Sequence, residues 1–357
     1  MQMKEIRDKK IQSAEPISVI ICAYTEDRWT TLVAAVASVQ QQTLPPDEII
    51  VVIDHNTSLL EQVRASIPGV IAIGNSGPRG LSGARNSGVA IAQGALVAFL
   101  DDDAMAEPDW LMQLSRHCQN PRVLGVGGAV EPLWLIKRPA WFPEEFYWVV
   151  GCTYRGQPQA LAVVRNTFGG NTCIRREIFA LVGGFRDGIG REGGVPMGCE
   201  ETELCIRAKQ RWPQKVFLYE PQARIHHCIP PNRACWRYFR SRCYAEGLSK
   251  AGVTRHVGAK DGLASERAYA LWTLPRGIAR GLADALLHRD PAGLAHAGAI
   301  MAGLVITATG YLVGNLILQG KQLKYRIAGE EVLLHNTAMP TTVKVEPQGS
   351  KETQKRQ

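Results

Sequence analysis

The chain has 357 residues, 45% apolar and 21% charged, which fits one large or two ordinary globular domains and excludes a wholly disordered polypeptide. Its 41 Lys and Arg outweigh 33 Asp and Glu, and the resulting +8 favours anionic partners such as phosphates or an acidic membrane surface. No block has the Lys and Arg density of a dedicated nucleic-acid binder, so no nucleic acid is expected. Nine scattered cysteines without CxxC spacing point to reduced thiols and a cytosolic catalytic portion.

The first sixteen residues are charged and lack the apolar core of a secretory signal, so export is not expected. Residues 1–15 read as an N-terminal extension. ISVIICAY (17–24) is β-branched and apolar throughout, which predicts a strand buried on both faces. A helix is expected over 29–42, ended by Leu44-Pro45-Pro46, then a second buried strand EIIVVID (48–54) and a helix over 61–66. GVIAIGN gives a third strand, GLSGARNSG leads into a helix through Gln93, and ALVAFL gives a fourth strand. Strands alternating with helices predict an α/β fold with a mostly parallel, Rossmann-like sheet flanked by helices. In such sheets ligands collect beyond the carboxyl ends of the strands, where Tyr24 to Asp27, Asp54 to Asn56 and Asp101 to Asp103 all fall.

Three adjacent carboxylates after a buried strand repel one another unless something cationic meets them. A divalent ion shared by Asp101 and Asp103, and bridging a diphosphate, supplies that charge; a solvated turn is the alternative. Asp54 suits hydrogen bonding to a nucleoside or, more simply, a turn. In GLSGARNSG the glycines permit close backbone approach and Arg85 could reach a phosphate, but the P-loop ending is missing and an ordinary turn into a helix fits equally.

The segment 132–148 reads as a loop crowded with aromatics, Trp141 among them. CEETEL has three carboxylates, Glu200, Glu201 and Glu203, and on these residues alone a solvated first helical turn accounts for them. His226 and His227 lack a third ligand at helical spacing, so core or loop histidines are the default. RACWRYFRSRCYAEGLSKAG interleaves Arg with aromatics, as an RNA stripe, a membrane-surface helix, a phosphate-facing helix or a helix packed on its aromatics would.

These motifs, in this order, resemble family 2 glycosyltransferases with the A-type nucleotide-sugar-binding fold, over about Ile17 to Lys250. VIICAYTEDR is similar to the family's opening strand and loop, VVIDHN to its second-strand Asp motif, and GLSGARNSGVAIAQGALVAFLDDDA to its Arg-Asn-x-Gly helix followed by Asp-x-Asp. GGNTCIRREIFALVGGF resembles the acceptor-side segment, and GCEETEL the Glu-Asp-x-Asp site, with Glu where the base is commonly Asp. The resemblance implies an inverting transfer in which Glu201 deprotonates an acceptor hydroxyl. It implies that Ala23, Tyr24, Glu26, Asp54, Arg85, Asp101 and Asp102 bind the nucleotide sugar. Asp101, Asp103 and His227 would hold Mg²⁺ or Mn²⁺, with the choice between His226 and His227 open. Asn171, Trp141 and Glu200 fall on the acceptor side.

The expected organisation is a catalytic domain over 16–250, divided into a nucleotide-sugar half (16–105) and an acceptor half (106–250). A helical, membrane-associated region over 251–328 and a disordered tail over 329–357 follow. Residues 291–320 contain no Asp, Glu, Lys or Arg and, at ~1.5 Å per residue, reach across a ~30 Å bilayer core; a buried helix or an interfacial hairpin fits the same stretch. Gly310 and Gly314 have the spacing that lets helices approach. The expected partners are a nucleoside-diphosphate sugar and a lipid-linked or cell-surface glycan or glycolipid, at the cytoplasmic face of the membrane. A nucleotidyltransferase, or a non-catalytic membrane-tethered binding protein on the same scaffold, is the alternative.

Overall fold

A computed structural model describes residues 15–191 and 196–337, with side chains through Gln319. The first half alternates as the sequence predicts: β1 (Ile17–Ala23), α1 (Trp29–Gln40), β2 (Glu48–Ile53), α2 (Thr57–Ser66), β3 (Ile71–Gly74), α3 (Leu81–Ile91) and β4 (Leu96–Asp101). Side chains of β1 serve two cores in turn: Val19 and Ile21 pack on one face of the sheet and Ile20 on the other, which is why the strand is apolar at every position. α2 starts earlier than expected because the Asn56 side chain accepts from the Leu59 amide, a helix N-cap.

The second half departs from the parallel expectation. After β5 (Ala104–Ala106), α4 (Trp110–Ser115) leads to the long β6 (Val123–Trp134), then β7 (Ala162–Val164), β8 (Asn171–Arg175), α5 (Arg176–Val182), α6 (Glu200–Arg211) and β9 (Val216–Ile229). Among the described residues one nine-stranded sheet runs β3-β2-β1-β4-β8-β6-β9-β5, with β7 paired to β9. β3, β2, β1 and β4 are parallel, but β8 is antiparallel to both β4 and β6, and β9 is antiparallel to β5 and β7. The sheet is therefore mixed. β8 enters from a loop and not from a crossover helix, and an antiparallel strand needs no crossover.

β6 and β9 pair in parallel with a register break, Gly128 opposite Glu220 and then Ala129 opposite Arg224. The loop-out frees two carbonyls, and the Asn171 amide donates to both, at 2.7 Å to Ala129 and 3.0 Å to Ala223. Trp110 Nε1 donates to Asn171 Oδ1 at 2.7 Å, completing a buried polar splice at the centre of the sheet.

Among the described residues five helices follow β9: α7 (Trp236–Val257), α8 (Ala259–Gly262), α9 (Ala264–Ala268), α10 (Leu274–Leu287) and α11 (Pro291–Thr337). A π-helical turn, Tyr269–Thr273, joins α9 to α10. α11 continues through Thr337, so residues 329–337, expected in a disordered tail, are helical; 338–357, like 1–14, lie outside the described residues. Gly310 and Gly314 permit close helix approach, but to α7: a Cβ on Gly310 would stand 2.3 Å from the Tyr244 carbonyl oxygen, and one on Gly314 2.7 Å from Ala251 Cβ. The small-residue spacing joins α11 to the catalytic unit, not to a second membrane helix.

Candidate functional site

The carboxyl ends of β1, β2 and β4 open on a cleft of about 1050 Å³ whose far wall is built by α6, α7 and the β9 end. β4 delivers Asp101, and the turn into β5 carries Asp102 and Asp103. β9 brings His227 opposite Ala104, so its Nε2 meets Asp103 Oδ1 at 2.9 Å. On a strand neighbouring side chains point to opposite faces. His226 accordingly turns away to Glu107, 2.6 Å off, and the open choice between the two histidines resolves to His227.

Donor atoms of Asp101, Asp103 and His227 lie within 4.8 Å of one another. Two carboxylate oxygens and an imidazole nitrogen make a donor set that Mn²⁺ accepts readily and Mg²⁺ less so. A further buried oxygen, Asp102 Oδ2, has no hydrogen-bond partner among the described residues. The residues fit a divalent ion.

Arginines, however, already meet the aspartates. Arg28 reaches Asp102 at 2.6 Å and Asp103 at 3.2 Å, Arg233 reaches Asp103 at 3.3 Å, and Arg85 reaches Asp101 at 3.4 Å. Fixed cations thus sit against the cluster and offset the repulsion among its carboxylates. Burial would raise the Asp103 carboxyl, but His227, Arg28 and Arg233 hold it far below the usual range. Burial and the neighbouring Asp103 push Asp102 up to about 7, against the pull of Arg28. Burial opposes the charge on His227, yet Asp103 keeps its imidazole protonated well above the ordinary range. Metal coordination at that nitrogen therefore displaces a proton.

Cys199, at φ 77°, turns the chain into α6 and presents three carboxylates in its first turn. Their neighbours separate them. Glu203 is buried against Arg186 and Arg207, both at 2.6 Å. Glu200 is buried against Arg85 at 2.7 Å, leaving its Oε2 without a partner among the described residues. Glu201 faces the cleft, and burial together with Glu200 pushes its carboxyl up to about 7. A carboxylate poised there suits proton abstraction near neutrality.

Other expected residues fall into two sets. Ala23, Tyr24 and Asp54 line the cleft. Asp54 accepts from the Asn75 amide at 2.7 Å and from Gly80 N at 2.9 Å, fixing the loop that precedes α3. Glu26 sits exposed and accepts from Asn56 Nδ2 at 2.9 Å, outside the cleft lining. Arg85 also lines the cleft, and its side chain, 3% exposed, is held between Glu200 and Asp101. Glu200 lines the cleft as well, with one carboxylate oxygen paired to Arg85. Asn171 is consumed by the sheet splice, and Trp141 packs on Phe142, Trp236 and Phe239; neither lines the cleft.

The sequence reading missed Arg28 and Arg233, which touch the aspartates only through the fold. It also missed Gly169 and Gly170: a Cβ on Gly170 would stand 2.1 Å from Asp101 Oδ2, and one on Gly169 2.8 Å from Arg85 Nη1. The adjacent Gly-Gly before Asn171 was the available signal for a close approach.

Residues 18–183 match the family description "Glycosyl transferase family 2". The glucosyl-dolichyl phosphate glucuronosyltransferase of Haloferax volcanii is 37% identical over 238 residues, 66% of this chain and 76% of that protein. The chain belongs to glycosyl transferase family 2. Succinoglycan biosynthesis protein ExoM of Rhizobium meliloti is 27% identical to this transferase over 226 residues, 59% of this chain and 69% of the relative. The solved mannosyltransferase PcManGT of Pyrobaculum calidifontis, described with GDP-Man and Mn²⁺, has a TM-score of 0.52 at 18% identity, covering 86% of this chain and 92% of that one; this likeness concerns the fold. The transferase's acidic strand ends coincide with the cleft described above.

Proposed function

We propose that this transferase moves a sugar, with inversion, from a nucleoside-diphosphate sugar to a hydroxyl of a glycan carried on a lipid phosphate, with Glu201 as the general base. One observation carries the reading: Glu201 and the Asp101–Asp103–His227 group line the same cleft. The Haloferax relative, by its name, acts on a glucosyl-dolichyl phosphate, which supports the lipid-linked acceptor. A cytosolic pool of nucleotide sugars supports a cleft that works at the cytoplasmic face of the membrane.

Tyr24 and Asp54 border the nucleoside, and the free lone pairs of Asp54 accept from its hydroxyl or base N–H groups. Arg79 and Arg191 line the cleft in position to meet the diphosphate. Asp101, Asp103 and His227 would hold Mn²⁺ or Mg²⁺, which supplies Lewis-acid neutralisation of the departing diphosphate. Glu201 takes the proton of the acceptor hydroxyl as that oxygen bonds to the anomeric carbon; the C–O bond to the diphosphate breaks and its electron pair leaves with the nucleotide. Held geometry and the enclosing cleft make this attack effectively unimolecular.

Purified chain screened with nucleotide sugars and Mn²⁺, read by nucleoside diphosphate release, tests the proposal. Glu201→Gln is expected to bind donor within a few-fold of wild type and to lose roughly 10²–10⁴-fold in turnover. Turnover that survives the substitution unchanged overturns the assignment.

A further inference from the structure

The C-terminal helices carry apolar surface that neither the fold nor the cleft uses. Pro291–Gln319 is long and apolar enough to cross a bilayer. Its burial is one-sided: Gly293, Ala297, Ile300, Gly303, Gly310 and Gly314 recur on the face turned into the unit, while Leu294, Met301, Leu304, Val305 and Leu312 are exposed. Gly303 abuts the Phe146 ring, and Gly310 lies against the α7 backbone at Tyr244 and Gly247. Behind the same face the fully buried Glu145 takes Arg280 at 3.2 Å and His296 at 3.1 Å. Were this helix to span, the Arg-rich α7 and the buried ion cluster packed along it would have to lie at the depth of the hydrocarbon too, and α7 has no apolar run of spanning length.

The exposed side extends onto α10 and the π-helical turn. Leu286 and Leu287 are 78% and 77% exposed, Val305 63% and Trp272 62%. The same segment presents exposed Arg267, Arg276 and Arg289, with the Arg276 guanidinium 5.6 Å from the Trp272 ring centroid. Apolar side chains with an aromatic and arginines beside them match the acyl and headgroup layers of an anionic leaflet. Trp272 and Leu304 belong to two surfaces at once, since both also line the catalytic cleft. Inside the cleft Phe146, Trp148 and Tyr269 continue the apolar wall.

The geometry points to a monotopic seat: the outer faces of α10 and α11 lie in one leaflet of an anionic bilayer without crossing it, and the lipid-linked acceptor enters the cleft sideways between Trp272 and Leu304. The entry route rests on the acceptor proposed above; the seat does not.

Flotation of the full chain with vesicles tests the seat without any turnover. Binding is expected to vesicles of phosphatidylcholine with phosphatidylglycerol, to weaken about tenfold without the anionic lipid, and to be lost in Leu286→Glu/Leu287→Glu. Spin labels at Leu294→Cys, Val305→Cys and Leu312→Cys, with Cys22 and Cys235 replaced by Ser, then report depth. Leu294 and Leu312 are about 27 Å apart along a helix rising ~1.5 Å per residue. One common shallow depth for the three labels is the expected result. A depth profile with Val305 at the bilayer centre and the other two near opposite surfaces means a spanning helix and overturns the seat. So does a stable detergent-free dimer that fails to float, since a second copy would then cover this face. Labels at the expected depth, with an unsubstituted chain that turns over no nucleotide sugar, would leave the seat standing and remove only the proposed reaction.

Discussion

Burial and Glu200 push the Glu201 carboxyl up to about 7, and two consequences follow at the scale of the residue. A base must be ionised, so kcat/KM is expected to rise with pH and to level off above an apparent pKa near 7, read from a pH–rate profile. Stability runs the other way. The folded carboxyl keeps its proton up to about 7 while the unfolded one releases it in the ordinary range, so its contribution is present at acid pH and is lost as pH rises through 7. Glu201→Gln should therefore melt higher than wild type at pH 8, with the difference vanishing near pH 4. Arg85 has a different office. Burial disfavours its charge, yet Glu200 and Asp101 hold it, and Arg85→Met would leave Glu200 buried without its cation. A loss of about 3–5 kcal/mol in urea unfolding is expected, the cost of breaking a buried pair. That Glu200 would meet Arg85 and Glu201 the Thr202 hydroxyl could not be seen in CEETEL, because adjacent acids differ only in what each side chain meets.

Among the elements, β1, β2 and β4 were legible because burial on both faces writes an unbroken apolar run. β6 and β9 were not. Glycines in VLGVGGAVEPLW mimic a loop, and the strand tolerates them because neighbours come too close for a side chain: a Cβ on Gly128 would meet the Ala223 oxygen at 1.9 Å. Asn171, read as an acceptor contact, is the splice those glycines require. Gly170 presses on Asp101 from β8's approach, so Gly170→Ala should keep the fold and displace that carboxylate. Mn²⁺ affinity by titration calorimetry is expected to drop about 10–100-fold, as for a lost orienting contact. Where α7 meets α11, backbone faces backbone. Gly310→Val should cost about 1–3 kcal/mol by overpacking, measured as a lowered denaturation midpoint.

Across the whole molecule, the arginines around Asp101–Asp103 separate folding from metal binding. A chelator is expected to abolish turnover while leaving circular dichroism and the melting curve of the ligand-free chain unchanged. Mn²⁺ with donor at a hundredfold excess over its dissociation constant should add ~2.7 kcal/mol by mass action. A chain that unfolds on chelation would contradict the salt bridges at 2.6, 3.2, 3.3 and 3.4 Å that hold the cluster.

By itself the sequence determined the alternating first half, the acidic strand ends and the family, because apolar periodicity and short motifs are local properties of the chain. Only the tertiary structure decided which histidine faces Asp103, which cations neutralise the aspartates, which glutamates meet arginines and which side of α11 is covered. Each of those answers depends on residues far apart in sequence meeting across a mixed sheet and a helix packed on its glycines, and no spacing along the chain encodes such encounters.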